Sequence, residues 1–280
     1  MNLFQTRECC FCPIASGSSG NATYIEADGD GILVDCACSG KRIENALIEL
    51  GTSIKNVRGI FITHGHHDHY GSIGVLARRH KIPIFANALT WKRIREDNDS
   101  GTHITGKIDP DLVQVTDTLF LGRTVKLGAV TVTSFPVPHD CPGAVGYRVS
   151  LGDRTAAVMT DLGYIPRELE EEVLGASVVL LESNHDMRML KTGPYPGFLK
   201  NRILSNTGHL SNDAAGLFAV KLARRGTKRI YLGHLSANNN TPQKALETVS
   251  LHLRNAHITP NQDIDLLVAG RDTLSVPTRW

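Results

Sequence analysis

The chain has 280 residues, of which 41% are hydrophobic, and its 30 basic and 28 acidic side chains leave a formal net charge of +2. This ordinary globular balance excludes nucleic-acid binding through a whole-protein field, so any such affinity must come from local clusters. No apolar run reaches the ~18–20 residues of a membrane span, and no basic region followed by an apolar stretch marks a secretory signal. We therefore expect a soluble, cytoplasmic protein without a membrane partner, folded as a single domain over residues 1–280.

The first 51 residues predict a turn-rich loop, a hairpin and a helix. Residues 16–21 are turn formers, and two strand-like runs, 23–26 and 31–35, flank an Asp-Gly-Asp turn. Residues 41–50 have the spacing of an amphipathic helix that stops at Gly51. The 16–21 loop is either only a turn or a segment that offers hydroxyls and backbone N–H groups to an anion. In the second interpretation its substrate-binding residues are Ser18, Ser19 and Asn21.

The cysteines leave two interpretations open. They stand at positions 9, 10, 12, 36, 38 and 141, and without an export signal we expect no disulfides. Cys9, Cys12, Cys36 and Cys38 could together bind a structural metal, although four-thiolate sites normally use more regular spacing. The alternative is reduced, partly buried thiols in two neighbouring strands.

The densest group of ligand-type residues is the segment 63–71, Thr-His-Gly-His-His-Asp-His-Tyr-Gly. The apolar run 59–63 before it predicts a buried strand, and residues 71–80 after it predict a helix. Neutral imidazole nitrogens and carboxylate oxygens are the usual ligands of Zn²⁺ and similar divalent ions. A polar turn that is His-rich by coincidence would leave this density of ligands without a purpose. The sequence therefore predicts a metal site on a loop at the end of a buried strand.

The remainder of the chain alternates strand-like and helical runs in two similar halves without a linker. Strands are predicted at 83–86, 124–127, 130–135, 145–151, 155–160, 178–181, 229–232 and 265–269. Helices are predicted at 90–96, 166–174, 213–225 and 242–255. Residues 101–118 predict a variable loop near the site, and residues 187–206 predict irregular structure. This order favours an α/β fold, an αββα sandwich of two mixed β-sheets with helices on both outer faces.

Two of the predicted strands run into ligand-type residues, His139 after 130–135 and Asp161 after 155–160. A lone histidine or aspartate after a strand is usually a turn residue. Because the predicted metal loop needs ligands from other strand ends, ligation becomes the better interpretation at both positions.

The run His-x-His-x-Asp-His at 64–69 resembles the signature of the metallo-β-lactamase superfamily. The resemblance implies an αββα fold and two divalent ions, Zn²⁺ or Mn²⁺ with Fe also possible, whose shared water is acidified to supply hydroxide. It also implies that Asp35 supports the metal loop and that His67 is structural. The implied ligands are His64, His66 and His139 for the first ion, Asp68, His69 and His234 for the second, and Asp161 as the bridge.

Residues 208–215, Gly-His-Leu-Ser-Asn-Asp-Ala-Ala, resemble a segment of the tRNA 3′-processing endonucleases. There a strand-end glutamate supports a histidine that protonates the leaving alkoxide, which implies these roles for Glu182 and His209. The alternative is a histidine at a helix N-terminus capped by Ser211, next to a strand-end acid. The predicted catalytic residues are Asp68, Glu182 and His209, and further predicted substrate contacts are Ser211, Asn212 and Ser236.

Nearly the whole chain resembles the YycJ (WalJ) branch of the superfamily, through the loops 16–21 and 63–71 and the segments 208–212 and 233–242. The resemblance implies a phosphodiesterase that acts on DNA as a 5′→3′ exonuclease. Four basic clusters could follow a phosphate backbone or could be solvated helix faces. They lie at 78–81, 92–95, 200–202 and 224–229.

Two other functions stay open at this point. One is a superfamily hydrolase that acts on a small thioester, lactone or cyclic phosphodiester, because fold and ligands do not choose the substrate. The other is a metal-dependent DNA or signalling partner without turnover. The native metal, the choice of DNA over RNA and the oligomeric state are also open.

Overall fold

Two mixed β-sheets pack face to face and carry helices on their outer faces, which confirms the predicted αββα sandwich. A computed structural model describes residues 8–101, 108–116 and 124–280. Within these ranges no helix is both long and apolar enough to cross a bilayer.

The strands of the two sheets follow the same plan. In spatial order the first sheet contains β14 (Thr278–Arg279), β1 (Cys9–Ala15), β2 (Ala22–Ala27), β3 (Asp30–Val34), β4 (Val57–Phe61), β5 (Ile84–Asn87) and β6 (Val113–Thr116). The second contains β13 (Asp265–Val268), β12 (Arg229–Gly233), β11 (Val178–Glu182), β10 (Arg154–Met159), β9 (Val145–Leu151), β8 (Val130–Pro136) and β7 (Thr124–Leu127). In each sheet an antiparallel part, up to β3 or β10, continues into parallel pairs.

The helices cover the outer face of each sheet. They are α1 (Gly40–Glu49), α2 (His67–Tyr70), α3 (Ile73–His80), α4 (Ala88–Asp99), α5 (Arg167–Val173), α6 (Met187–Thr192), α7 (Gly197–Ile203), α8 (Asn212–Arg224) and α9 (Pro242–Asn255). Apolar residues of α1, α3 and α4 pack on the first sheet, and those of α5, α8 and α9 pack on the second.

The strand β11 shows how the sequence specifies these layers. Val178 and Leu180 belong to the apolar cluster between the sheets, and Val179 and Leu181 belong to the cluster under the helices. Because successive side chains of a strand point to opposite faces, a strand buried on both faces is a continuous apolar run. Removing this apolar surface from water on both faces is what holds the sandwich together.

Parallel strands bring their carboxyl ends to one edge of a sheet. The segment 63–71 follows β4, and Asp161, Glu182 and His234 lie at the ends of β10, β11 and β12. The strand β8 runs in the same direction as β10, because each is antiparallel to β9, so His139 reaches the same edge. The topology therefore collects the ligand-type residues of both halves.

The sequence prediction missed edge strands and short helices. The strand β1 was not among the predicted strands, β6 lies inside the predicted loop 101–118, and β14 was not foreseen. Residues 102–107 and 117–118 of that loop lie outside the described residues. The predicted irregular segment 187–206 contains α6 and α7. The six residues of α6 are too few to show the apolar period of a helix.

The predicted four-cysteine metal site is not supported. Cys9 points into the layer between the sheets, whereas Cys12, Cys36 and Cys38 lie in the cluster under α1 and α3. Positions three apart in one strand face opposite sides of the sheet, so Cys9 and Cys12 cannot share an ion. All six cysteines are buried thiols, and no described cysteine belongs to a group of metal-ligand atoms.

Candidate metal centre

Three histidine nitrogens converge at the carboxyl-end edge of the sandwich. His64 Nε2 lies 3.0 Å from His66 Nδ1, and His139 Nε2 lies 3.3 Å from the same atom. These residues come from the loop after β4 and the loop after β8. Their positions are close enough for the three to share one ion.

A second group of ligand atoms lies beside the first. Asp68 Oδ2 is 3.7 Å from His69 Nε2 and 3.6 Å from His234 Nε2. Asp68 and His69 belong to the short helix α2, and His234 follows β12, so this group joins the two sheets.

The Asp161 carboxylate lies between the two groups. Its Oδ2 is 3.1 Å from His69 Nε2 and its Oδ1 is 3.2 Å from His234 Nδ1, and Asp161 also forms a ligand group with His64 and His69. Within the described residues, neither Asp161 Oδ2 nor His234 Nε2 makes a hydrogen bond, although both atoms are buried. Because an unsatisfied buried polar group is costly, a divalent cation fits the centre.

Asp35 holds the metal loop in place, as the superfamily resemblance implied. Its carboxylate accepts hydrogen bonds from the Thr63 N–H at 2.9 Å and the Thr63 hydroxyl at 3.0 Å, and lies 2.7 Å from His69 Nδ1. A carboxylate on one imidazole nitrogen fixes the tautomer and orients the other nitrogen toward a metal. Asp35 therefore directs His69 Nε2 into the centre.

Three residues of the centre adopt backbone conformations that favour glycine. Asp35, Asp161 and His234 have φ angles of 61°, 59° and 53°. A non-glycine residue in this region costs on the order of 1–2 kcal/mol. Each follows the end of a strand, where the left-handed turn redirects the chain beside the ligand groups. Backbone strain therefore occurs where the candidate ligands meet.

Electrostatics divides the histidines into two kinds. Burial lowers the pKa of His64 well below its usual range, lowers that of His66 to about 4 and lowers that of His139. Burial also opposes the charged form of His69, but Asp35 and Asp161 outweigh it and raise its pKa well above the usual range. His234 is likewise buried, and Asp161 and its other carboxylate neighbours raise its pKa to about 10. The first three histidines are therefore neutral, whereas the other two bind protons at the positions where a cation would lie.

Glu182 joins two histidines at the end of β11. Its Oε1 lies 2.7 Å from His209 Nδ1 and 3.0 Å from His234 Nδ1. Its Oε2 accepts hydrogen bonds from the backbone N–H groups of Leu162 and Leu210, next to Asp161 and His209. Burial raises the pKa of Glu182, but the two histidines lower it to about 2, so the carboxylate is charged. Glu182 thus positions His209 rather than facing the solvent.

A cavity of about 410 Å³ opens over these residues. Its wall includes the predicted substrate contacts Ser18 and Ser236, and His67 also lines it. The opposite wall contains Tyr195, just before α7, and residues of α7 that sequence reasoning did not assign to the site. These α7 residues are Leu199, Arg202 and Ile203. The basic pair at 200 and 202 was the one sequence signal that pointed to α7.

Four other predicted substrate contacts do not line the cavity. Ser19 is exposed, and Asn21 is buried, where it donates to the backbone oxygen of Asp68 and so supports the metal loop. Ser211 caps α8 by accepting from the Ala214 N–H at 3.2 Å, as the structural alternative predicted. Asn212 is buried and accepts from the Ser183 hydroxyl at 2.6 Å. These contacts indicate structural roles for Asn21, Ser211 and Asn212.

Ser16 is a residue of the centre that the sequence did not reveal. Its buried hydroxyl accepts a hydrogen bond at 2.8 Å from the backbone N–H of His234, whose φ is positive. A serine in a run of turn formers carries no signal that it will stabilise a residue more than 200 positions away.

Metal binding at pH 7 should release protons. The raised pKa values of His69 and His234 mean that both are protonated without metal, and a cation requires the neutral imidazole. We expect about two protons released per chain, and an affinity that falls as the pH is lowered below the pKa of His234, since protons then compete. Calorimetric titration in two buffers of different ionisation heat measures this number. A binding heat that does not depend on the buffer would contradict it.

Comparison with known proteins places the chain among relatives of the same size. It is 37% identical over 240 residues to "Exodeoxyribonuclease YycJ" of Bacillus anthracis, covering 86% of this chain and 87% of that protein. It is 35% identical over 260 residues to "Exodeoxyribonuclease WalJ" of Streptococcus pneumoniae, covering 93% of this chain and 94% of that protein.

Solved structures share the fold at low sequence identity. The metallo-β-lactamase fold protein YhfI from Bacillus subtilis superposes with a TM-score of 0.69 at 14% identity, over 98% of this chain and all of that one. The short form of human tRNase Z superposes with a TM-score of 0.61 at 16% identity, over 95% of this chain and 98% of that one. The family described as "Beta-lactamase superfamily domain" matches residues 31–235, and the chain therefore belongs to the beta-lactamase superfamily.

Proposed function

We propose that this chain is a metal-dependent phosphodiesterase that degrades DNA as a 5′→3′ exonuclease. The relatives named exodeoxyribonuclease align over 86% and 93% of its length, which supports a nucleic-acid substrate. The observation that carries the proposal is the contact of 2.7 Å between Glu182 and His209 Nδ1, in a cavity that also contains Asp68 and Asp161. This pair gives the site a proton donor next to the candidate metal ligands.

The centre would hold two divalent ions, Zn²⁺ or Mn²⁺. His64, His66 and His139 would bind the first, since their pKa values are lowered and they are neutral at pH 7. Asp68, His69 and His234 would bind the second, and Asp161 would contact both. When bound, such ions supply Lewis acidity and lower the pKa of water, which is the chemistry that phosphodiester hydrolysis needs.

His209 is placed to give a proton to the leaving alkoxide. Its Nδ1 is held by Glu182, so Nε2 is the nitrogen left for a substrate in the cavity that His209 lines. Burial lowers the pKa of His209, but the Glu182 carboxylate outweighs burial and raises it, which favours the protonated ring. Protonation of a poor leaving group typically contributes ~10²–10⁴-fold to a rate.

The relatives do not favour the alternatives. A thioester expels a thiolate, which leaves without a proton donor, whereas Glu182 is buried and engaged on both oxygens to position His209. A metal-dependent binding partner without turnover would need the ligand groups, but it would not need the Glu182–His209 pair at the cavity.

End-labelled substrates test the proposed activity. We expect the protein loaded with Zn²⁺ or Mn²⁺ to release mononucleotides from the 5′ end of DNA, and to lose this activity with a chelator because the ligand groups are then without cations. Single- and double-stranded DNA and RNA, each labelled at the 5′ or the 3′ end, should be compared with each metal. Release from the 3′ end would refute the polarity, and the absence of nucleic-acid cleavage with every metal would refute the function.

Replacing His209 by alanine separates a nuclease from a thioesterase. We expect the rate of DNA cleavage to fall ~10²–10⁴-fold with unchanged metal content, because the proton donor is lost. His80→Ala is the matched control, since His80 contacts Glu44 at 2.7 Å and is not among the residues lining the cavity. A His209→Ala enzyme that keeps its full rate would show that the histidine has only a structural role.

A further inference from the structure

A second cavity of about 410 Å³ adjoins the metal cavity. The two share His66, and Asp140 lies 3.4 Å from His139 Nε2 at the boundary. The helix α4 forms much of the second cavity, which is lined by Leu89, Lys92, Arg93, Glu96, Asp140, Cys141 and Pro142. The second cavity therefore continues from the candidate metal ligand His66 along one helix, a stretch of surface that we call the path.

Two of the four basic clusters lie on this path. Arg202 lines the metal cavity, and Lys92 and Arg93 line the second. The 224–229 cluster ends where β12 begins, whereas His234 follows the end of β12, about 15 Å away at the usual strand rise. In the 78–81 cluster, Arg79 and His80 contact Glu44 on α1. The structure thus selects between clusters that the sequence could not rank.

Arg93 is fixed relative to the metal loop. A Cβ added to Gly65, which stands between His64 and His66, would lie only 2.6 Å from Arg93 Cγ. The arginine stem therefore packs directly on the loop, and glycine is needed there to admit it. Its guanidinium contacts Asp97 at 3.0 Å, and a guanidinium carries five N–H donors, so donors are left for a phosphate.

Lys92 is the more accessible cation. Its side chain is 72% exposed, and its partner Glu96, at 3.9 Å, is 53% exposed. Surface ion pairs of this kind contribute little, so the ammonium is available to an incoming phosphate. The other acid of the cavity, Asp140, is engaged by Arg202. The side chains of α4 that face the path therefore carry a more positive net charge than the residue composition of the helix suggests.

The opposite side of the metal cavity is less suited to a strand. There a cavity that shares Ser236 contains Arg271, whose guanidinium donates to the backbone oxygen of Leu235 at 2.6 Å. Arg271 thus serves the fold, and Asp272 lines the same cavity. The α4 side carries the exposed cations Lys92 and Arg93, and Arg95 is also exposed there.

We propose that α4 binds the continuing strand of the DNA substrate, with the phosphates next to the scissile one lying along Lys92 and Arg93. The proposal rests on the nuclease function proposed above. The anchoring of α4 supports it, because Asn87 ends β5, caps α4 through the Thr90 N–H and donates to the Gly143 carbonyl in the loop between β8 and β9. The helix α4 and the metal ligands are thus held at the same rigid edge of the sandwich.

The Lys92→Ala variant tests the proposal, with Lys228→Ala as the matched control. Lys92 is preferred to Arg93, whose removal would leave the buried Asp97 without its cation. The substrates are a 20-nucleotide single-stranded DNA and bis(4-nitrophenyl) phosphate, a diester that has no neighbouring phosphates. For each variant, kcat/KM for DNA is divided by kcat/KM for the small diester. We expect Lys92→Ala to lower this quotient about 5-fold. A plot of log kcat/KM for DNA against the logarithm of the salt concentration has a negative slope. We expect the magnitude of this slope to decrease by about one in Lys92→Ala.

The outcomes separate the two proposals. An unchanged ratio and salt slope in an enzyme that degrades DNA would overturn the role of α4 and leave the nuclease function standing. The same loss in Lys228→Ala would also overturn it, because a general loss of positive charge would then explain the effect. A wild-type enzyme that cleaves only the small diester would overturn both.

Discussion

The structure depends on one buried carboxylate, that of Asp161, held between histidines of both sheets. It lies 3.1 Å from His69 Nε2, in the first half of the chain, and 3.2 Å from His234 Nδ1, in the second. Burial raises its pKa, but the facing histidines outweigh burial and lower it well below the usual range, so the group stays charged. A charge buried at this depth is tolerated only when opposite charge faces it, which both sheets must supply together.

This constraint explains why the backbone is strained at the ends of these strands. Asp35, Asp161 and His234 adopt positive φ angles, and the hydrogen bonds of Ser16 and Asp35 hold the distorted turns. Strained backbone persists when the surrounding structure over-determines it, and here two packed sheets do so. The same rigidity orients Glu182, which joins His209 and His234. A proton donor and candidate metal ligands are therefore positioned by one set of contacts.

The sequence predicts this arrangement where a residue type leaves few alternatives. Strands such as β11 are continuous apolar runs, and four histidines in the segment 63–71 have no simple structural purpose. The role of a polar turn residue cannot be read from the sequence. Asn21 stands in the same run of turn formers whether it contacts a substrate or supports the backbone of Asp68. The wall formed by α7 was missed because Pro194, Pro196 and Gly197, at and before its start, are turn signals.

The location of bound metal tests this account most directly. Crystals grown with Mn²⁺ or Zn²⁺ should be measured at the absorption edge of the metal, where anomalous scattering locates the ions independently of the protein. The account predicts two ions, one among His64, His66 and His139 and the other beside His69 and His234, with Asp161 contacting both. A single ion, or ions that leave the Asp161 carboxylate without a metal contact, would contradict it.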